Sequence, residues 1–139
     1  MYNWLKNKSK NFLGKYFQKD QSGDIFFKKI SVKEKAPHNN SLEEKEFVEV
    51  VYNKKPYWAI FKCPCGCSNI ISLSLQDVHH PHWKVSFSKN GLPTIYPSIW
   101  QNIGCFSHFW IENGRIIWCH SSGIEPWIAD PKHYNRPRK

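Results

Sequence analysis

The chain has 139 residues and a net charge of +9, and 40% of its residues are hydrophobic and 16% aromatic. This apolar content is enough for one folded domain and argues against wholesale disorder. No apolar run approaches the roughly 20 residues that a membrane-spanning helix requires, so we expect no membrane span.

Residues 1–24 are predicted to form a basic extension that is helical in part. Leu5, Phe12 and Tyr16 are spaced for one face of an amphipathic helix. The segment contains no continuous apolar run, so we expect no secretory signal and a cytoplasmic location. The polar segment 33–46 indicates a loop that leads into the next region.

Residues 25–128 are predicted to form a β-rich domain. Segments rich in β-branched and aromatic side chains are typical of strands, and four of them occupy residues 47–52, 57–62, 69–75 and 83–88. A short fifth strand is predicted at Pro93–Ile95. The segment HFWIENGRIIWC (108–119) predicts a hairpin, because Asn113-Gly114 tolerates the positive φ that a two-residue type I′ turn requires at both positions.

The positive charge lies at the two ends of the chain. Residues 1–35 carry a net charge of +6 and residues 126–139 a net charge of +3, so the residues between them are neutral. We interpret residues 129–139 as a basic tail. The neutral region carries no basic stripe interleaved with aromatic residues, so we do not expect nucleic-acid binding to be the main function. A nucleic-acid binder that resembles a zinc ribbon is kept as an alternative.

Cysteines cluster in two motifs, CPCGC (63–67) and GCFSH (104–108). Three cysteines in five residues, in a chain without a predicted signal, indicate metal binding. Zinc takes four thiolate or imidazole ligands in a tetrahedron. An extended backbone would hold Cys63 and Cys67 about 13 Å apart, so the Pro and Gly between the cysteines predict a tight turn.

Five residues compete for four ligand positions: Cys63, Cys65, Cys67, Cys105 and His108. In one arrangement, two cysteines of the first motif join Cys105 and His108. In the other, all three join Cys105 and leave His108 free for chemistry. The predicted fold is the same for both arrangements. It is a small α+β fold, mainly β with a short N-terminal helix, in which zinc stabilises an assembly of β-hairpins.

The strings FKCPCGCSNIISLSL, HPHWKVSF and GLPTIYPSIWQNIGCFSHFWIENGRIIWC resemble the bacterial family of unknown function 6527. This resemblance covers about Tyr57 to Cys119. It implies a gene neighbourhood of ubiquitin-like proteins with their activating and conjugating enzymes, in antiviral (antiphage) defence operons. It also implies a zinc-containing peptidase that trims or deconjugates the ubiquitin-like protein at its C-terminus. Phe106 stands where the family usually has Arg, so no positive charge is expected there.

Ser98 and His108 are the candidate catalytic residues. A serine nucleophile needs a histidine within hydrogen-bond reach, and the two residues could converge across the loop between them. We therefore favour a serine-type peptidase with a structural zinc. Backbone N–H groups of Ile99 or Trp100, at the start of a helical turn after Pro97, are the expected oxyanion donors. In the competing interpretation, Ser98 and Gln101 form a capping box that starts a helical turn.

Two further alternatives remain open at this point. A zinc hydrolase would need an open coordination position and an acidic base. A non-catalytic zinc-binding adaptor would dock the ubiquitin-like protein or its conjugating enzyme without cleaving anything.

Overall fold

A computed structural model describes residues 23–134 of the chain, so the predicted N-terminal helix lies outside the described residues. Within that range, eight strands form two four-stranded sheets. The prediction of a mainly β fold is confirmed. No helix among the described residues is long and apolar enough to cross a membrane.

The first sheet has the strand order β1-β2-β3-β4. Its strands are β1 (Lys29–Lys33), β2 (Glu46–Tyr52), β3 (Lys55–Lys62) and β4 (Ile70–Ser74). Strands β2 to β4 confirm the strands predicted from residue type. The sequence analysis missed β1, which pairs in parallel with β2, because a parallel pair is a long-range contact without a local turn signal.

The second sheet has the strand order β5-β6-β7-β8 and is antiparallel throughout. Its strands are β5 (Lys84–Phe87), β6 (Pro93–Trp100), β7 (His108–Glu112) and β8 (Arg115–Trp118). The predicted hairpin joins β7 to β8, and Asn113 and Gly114 have φ values of 48° and 72°. These values agree with a type I′ turn.

Strand β6 corrects two expectations. It continues five residues beyond the short strand predicted at Pro93–Ile95, and the helical turn expected after Pro97 is wrong. Ile99 and Trp100 are instead paired with Phe109 and His108 of β7. The local capping pattern was overridden by cross-strand pairing, which the S-x-x-Q spacing does not report.

The main core lies between the two sheets. Side chains from both sheets form one buried cluster. It includes Phe47 and Phe61 of the first sheet and Ile99 and Phe109 of the second, each of which is at most 1% exposed. Phe61 meets Phe109 edge to face, with ring centroids 6.4 Å apart. The described residues end with two short helices, α1 (Pro126–Ala129) and α2 (Pro131–Tyr134), which were not predicted.

Candidate functional site

The first cysteine motif forms the turn that joins β3 to β4. Cys63 follows β3 directly and is buried, while Cys65 and Cys67 are exposed. The backbone N–H of Gly66 donates to the carbonyl of Cys63 at 3.2 Å, and Gly66 has a φ of 92°, a value that favours glycine. The tight turn predicted from Pro and Gly is therefore present.

Four cysteine sulfurs converge at this turn. The Sγ atoms of Cys63, Cys65, Cys67 and Cys105 all lie within 4.8 Å of one another. The Cys63–Cys65 and Cys63–Cys105 sulfur distances are 3.5 and 3.7 Å. Tetrahedral zinc with bonds of about 2.3 Å would separate its sulfurs by about 3.8 Å, so the four residues present fit such an ion.

The protonation of these thiols depends on burial and on neighbouring donors. Burial raises the pKa of Cys63 and of Cys67. Burial also acts on Cys65, but hydrogen bonds from Ser107 and the adjacent thiols outweigh it and lower that pKa to about 7. The Ser107 hydroxyl, itself buried, donates to Cys105 Sγ at 3.1 Å. A divalent cation would bind the thiolates and displace their protons.

Ser98 lies in an irregular part of β6 beside the start of β7. Ile95 is paired with Ile111 and Ile99 with Phe109, so residues 96–98 stand opposite a single residue of β7. Such a bulge bends the strand and redirects its side chains. The Ser98 Oγ atom lies 3.0 Å from His108 Nε2, which is hydrogen-bond distance.

His108 is held on three sides. Its Nδ1 lies 2.6 Å from Ser121 Oγ, and its backbone N–H donates to Ser122 Oγ at 3.0 Å. The Trp100 ring stacks on the imidazole, with centroids 4.0 Å apart and planes within 5° of each other. Ser98 forms the hydrogen bond at Nε2. Hydrogen bonds at both ring nitrogens and the stacked indole together fix the orientation of the imidazole.

The electrostatic environment of His108 favours the neutral imidazole. Burial lowers the pKa of His108 to about 4, because the charged ring would lose solvation without gaining an anionic partner. A neutral imidazole is the form that can accept a proton from Ser98 near pH 7. The pair is therefore arranged as a nucleophile and a general base.

The structure brings the predicted residues together in two groups. The sulfur group contains all three cysteines of the first motif and Cys105, whereas His108 belongs to the hydroxyl group with Ser98. Cys119 lies outside the sulfur group. The backbone N–H groups of Ile99 and Trp100 were expected to be free oxyanion donors at the start of a helical turn. This expectation is wrong, because both residues belong to a strand and are paired with β7.

Three contacts of His108 were missed by the sequence analysis. The sequence analysis considered Trp100 only for its backbone N–H group, and it did not consider Ser121 or Ser122. The only local signal is the Ser-Ser pair that follows Cys119-His120. Adjacent serines are common in loops, so their approach to His108 becomes evident only from the fold.

Comparison with known proteins gives one match. The model of a family described as bacterial ubiquitination-like system serine protease (BubE) matches residues 32–119, which include both cysteine motifs, Ser98 and His108. None of the curated proteins and none of the solved structures matches the chain.

Proposed function

Because the chain belongs to this family of bacterial ubiquitination-like system serine proteases, we propose that Ser98 is its nucleophile and His108 its general base. The substrate of this proposal is a ubiquitin-like protein, cleaved at the peptide or isopeptide bond that follows its C-terminal tail. The observation that carries the assignment is the 3.0 Å contact between Ser98 Oγ and His108 Nε2. A role in antiviral defence and a location in the cytoplasm belong to the same proposal.

The reaction follows from the positions of these two side chains. Ser98 Oγ attacks the carbonyl carbon that ends the tail, and its proton passes to His108 Nε2. The imidazolium then gives that proton to the departing amine, which leaves an acyl ester on Ser98. Water, deprotonated by His108, hydrolyses the ester and releases the trimmed protein.

The cysteine group is proposed to hold one Zn²⁺ with a structural role. Four thiolates complete a tetrahedral shell, so no position would remain for an activated water. This argues against a zinc hydrolase. Cys105 and His108 lie at the two ends of one short segment, and Ser107 between them contacts Cys105. When bound, the ion would supply rigidity to the segment that leads into the catalytic histidine.

The test is an incubation with a ubiquitin-like precursor that carries a short C-terminal extension, followed by mass spectrometry. We expect wild-type protein to remove the extension. Ser98→Ala should lower the rate by at least about 10³-fold while its metal content and melting temperature stay at the wild-type values. Ser72→Ala serves as the matched control, because Ser72 is an exposed residue of β4 in the other sheet.

Two other outcomes would assign a different function. If Ser98→Ala still cleaves the precursor and a chelator stops the reaction without unfolding the protein, the zinc-hydrolase alternative is correct. If the wild type cleaves no precursor and no conjugate but binds the ubiquitin-like protein, the adaptor alternative is correct.

A further inference from the structure

We propose that Ser121 is a positioning residue for catalysis: its hydroxyl accepts a hydrogen bond from His108 Nδ1 and so holds the imidazole in the tautomer that can deprotonate Ser98. This proposal rests on the proposed function of the Ser98–His108 pair. It is carried by the 2.6 Å contact between Nδ1 and Ser121 Oγ. Ser121 follows the end of β8 and reaches His108 from a different segment than Ser98 does.

The two hydroxyls together determine the orientation of the ring. Ser98 faces Nε2 and Ser121 faces Nδ1, so a half-turn of the imidazole would place carbon atoms opposite both oxygens. Both hydrogen bonds would be lost at once. Trp100 restricts tilting by stacking parallel to the ring. The ring is thereby restricted to the orientation that points Nε2 at the nucleophile.

The tautomer is the property that depends on Ser121. A general base must present an unprotonated Nε2 to Ser98, and a neutral imidazole then carries its proton on Nδ1. That N–H needs an acceptor, because a donor that is partly removed from water and has no partner is costly. In the Ser-His-Asp arrangement a carboxylate is the acceptor; here the position is occupied by a hydroxyl.

A hydroxyl and a carboxylate differ in one consequence. The carboxylate orients the ring and also stabilises the imidazolium by its charge, whereas a serine hydroxyl only orients it. The low pKa of His108, caused by burial, agrees with a neutral partner at Nδ1. Ser121 therefore acts through geometry, and its removal should affect the turnover step and leave substrate binding unchanged.

The first experiment uses the full-length chain and a fluorophosphonate probe, which needs no knowledge of the natural substrate. In this reaction Ser98 Oγ bonds to phosphorus, fluoride leaves, and His108 takes the serine proton. We expect Ser121→Ala to be labelled about tenfold more slowly than wild type. Ser121→Thr, which keeps the hydroxyl, should stay within about twofold, and Ser72→Ala should match the wild type.

The second measurement is ¹⁵N NMR of His108, which reports the tautomer without any reaction. We expect the wild-type ring to be protonated at Nδ1 and Ser121→Ala to show a mixture of tautomers. A purely structural role for Ser121 would lower the melting temperature without changing this signature. Because the wild type alone answers the tautomer question, the test does not depend on whether Ser121→Ala folds.

The possible failures are distinguishable. Wild-type labelling at Ser98 with an unchanged rate in Ser121→Ala would overturn the role of Ser121 alone, as would a wild-type ring protonated at Nε2. A wild type that fluorophosphonate does not label at Ser98 would overturn the proposed function, and the positioning role would fall with it.

Discussion

His108 shows how burial changes the chemistry of one residue. The ring lies between Trp100 and two serine hydroxyls, and burial lowers its pKa to about 4 from an ordinary value of 6.5. A general base should be unprotonated at the working pH. At this position the imidazole meets that condition over a wider acidic range than an exposed histidine would.

The first consequence concerns the pH dependence of Ser98 reactivity. A histidine with a pKa of 6.5 is only about 10% neutral at pH 5.5, whereas one with a pKa of about 4 is almost fully neutral there. We therefore expect the rate of fluorophosphonate labelling to be nearly the same at pH 5.5 and pH 7.5. The metal content of the same samples should be measured as a control. A midpoint near pH 6.5 would contradict the effect of partial burial on the pKa of His108.

The second consequence concerns stability. In the unfolded chain His108 binds a proton below about pH 6.5, whereas in the folded chain it binds one only near pH 4. Between these two pH values, protonation therefore stabilises the unfolded state relative to the folded state. The contribution of His108 is complete above about pH 6.5 and is lost as the pH falls towards 4. Urea unfolding at pH 7.5 and 5.5 should show a larger loss for wild type than for His108→Gln. Equal losses in the two proteins would refute this linkage.

At the scale of elements, the β7–β8 hairpin fixes the strand that begins with His108. Its turn is also packed: Gly114 is buried and has a φ of 72°. A Cβ atom there would lie 3.0 Å from Leu92 Cδ2 and 3.3 Å from Ile25 Cγ2. The turn thus requires glycine for its backbone conformation, and the neighbouring side chains leave little room for any other residue.

We expect Gly114→Ala to lower the free energy of unfolding by about 1–2 kcal/mol, because alanine is strained at positive φ. Asn113→Gly is the matched control. Asn113 also has a positive φ, of 48°, but it is exposed, so glycine should change stability by less than about 0.5 kcal/mol. Chemical denaturation of both variants would measure the difference. Equal destabilisation would contradict this prediction, because glycine at position 113 introduces neither backbone strain nor a new contact.

The bulge in β6 is the second element on which the proposed function depends. Regular pairing holds Ile95 and Ile99 in the core, while the residues between them leave the register. Trp83 Nε1 donates to the Ser98 carbonyl at 3.2 Å, which supports the irregular backbone. Regular strand pairing on both sides of the bulge thus holds Ser98 with its side chain directed at His108. The proposed catalysis would require such a rigid support.

At the scale of the whole molecule, the cysteine group connects the two sheets. Cys63, Cys65 and Cys67 lie between β3 and β4 of the first sheet, and Cys105 lies between β6 and β7 of the second. An ion held by all four would be a cross-link between the sheets, next to the segment that carries His108. Metal binding would then contribute directly to folding.

Elemental analysis of the purified protein should find about one zinc per chain. We expect Cys105→Ser to lose the metal and to melt roughly 10 °C or more below the wild type, because one of the two linked segments is released. Cys119→Ser is the matched control, since Cys119 lies outside the sulfur group and burial raises its pKa to about 11. Loss of zinc in Cys119→Ser, or its retention in Cys105→Ser, would show that the site is misplaced.

The sequence by itself determined the local features of this protein. Residue type and turn chemistry predicted strands β2 to β5 and the Asn113-Gly114 hairpin, because strand propensity and positive φ are properties of short segments. The spacing of Pro and Gly within CPCGC predicted the tight turn for the same reason. The Ser98–His108 pairing was suggested by two neighbouring motifs together with the family resemblance.

Only the tertiary structure decided how distant segments meet. The parallel pairing of β1, the extension of β6 through Ser98 and the approach of Ser121 to His108 all join residues that no local pattern relates. The convergence of all three cysteines of the first motif on Cys105, without His108, is a long-range contact of the same kind. Long-range contacts depend on the packing of two whole sheets against each other, and the free energy of that packing is not contained in any single segment.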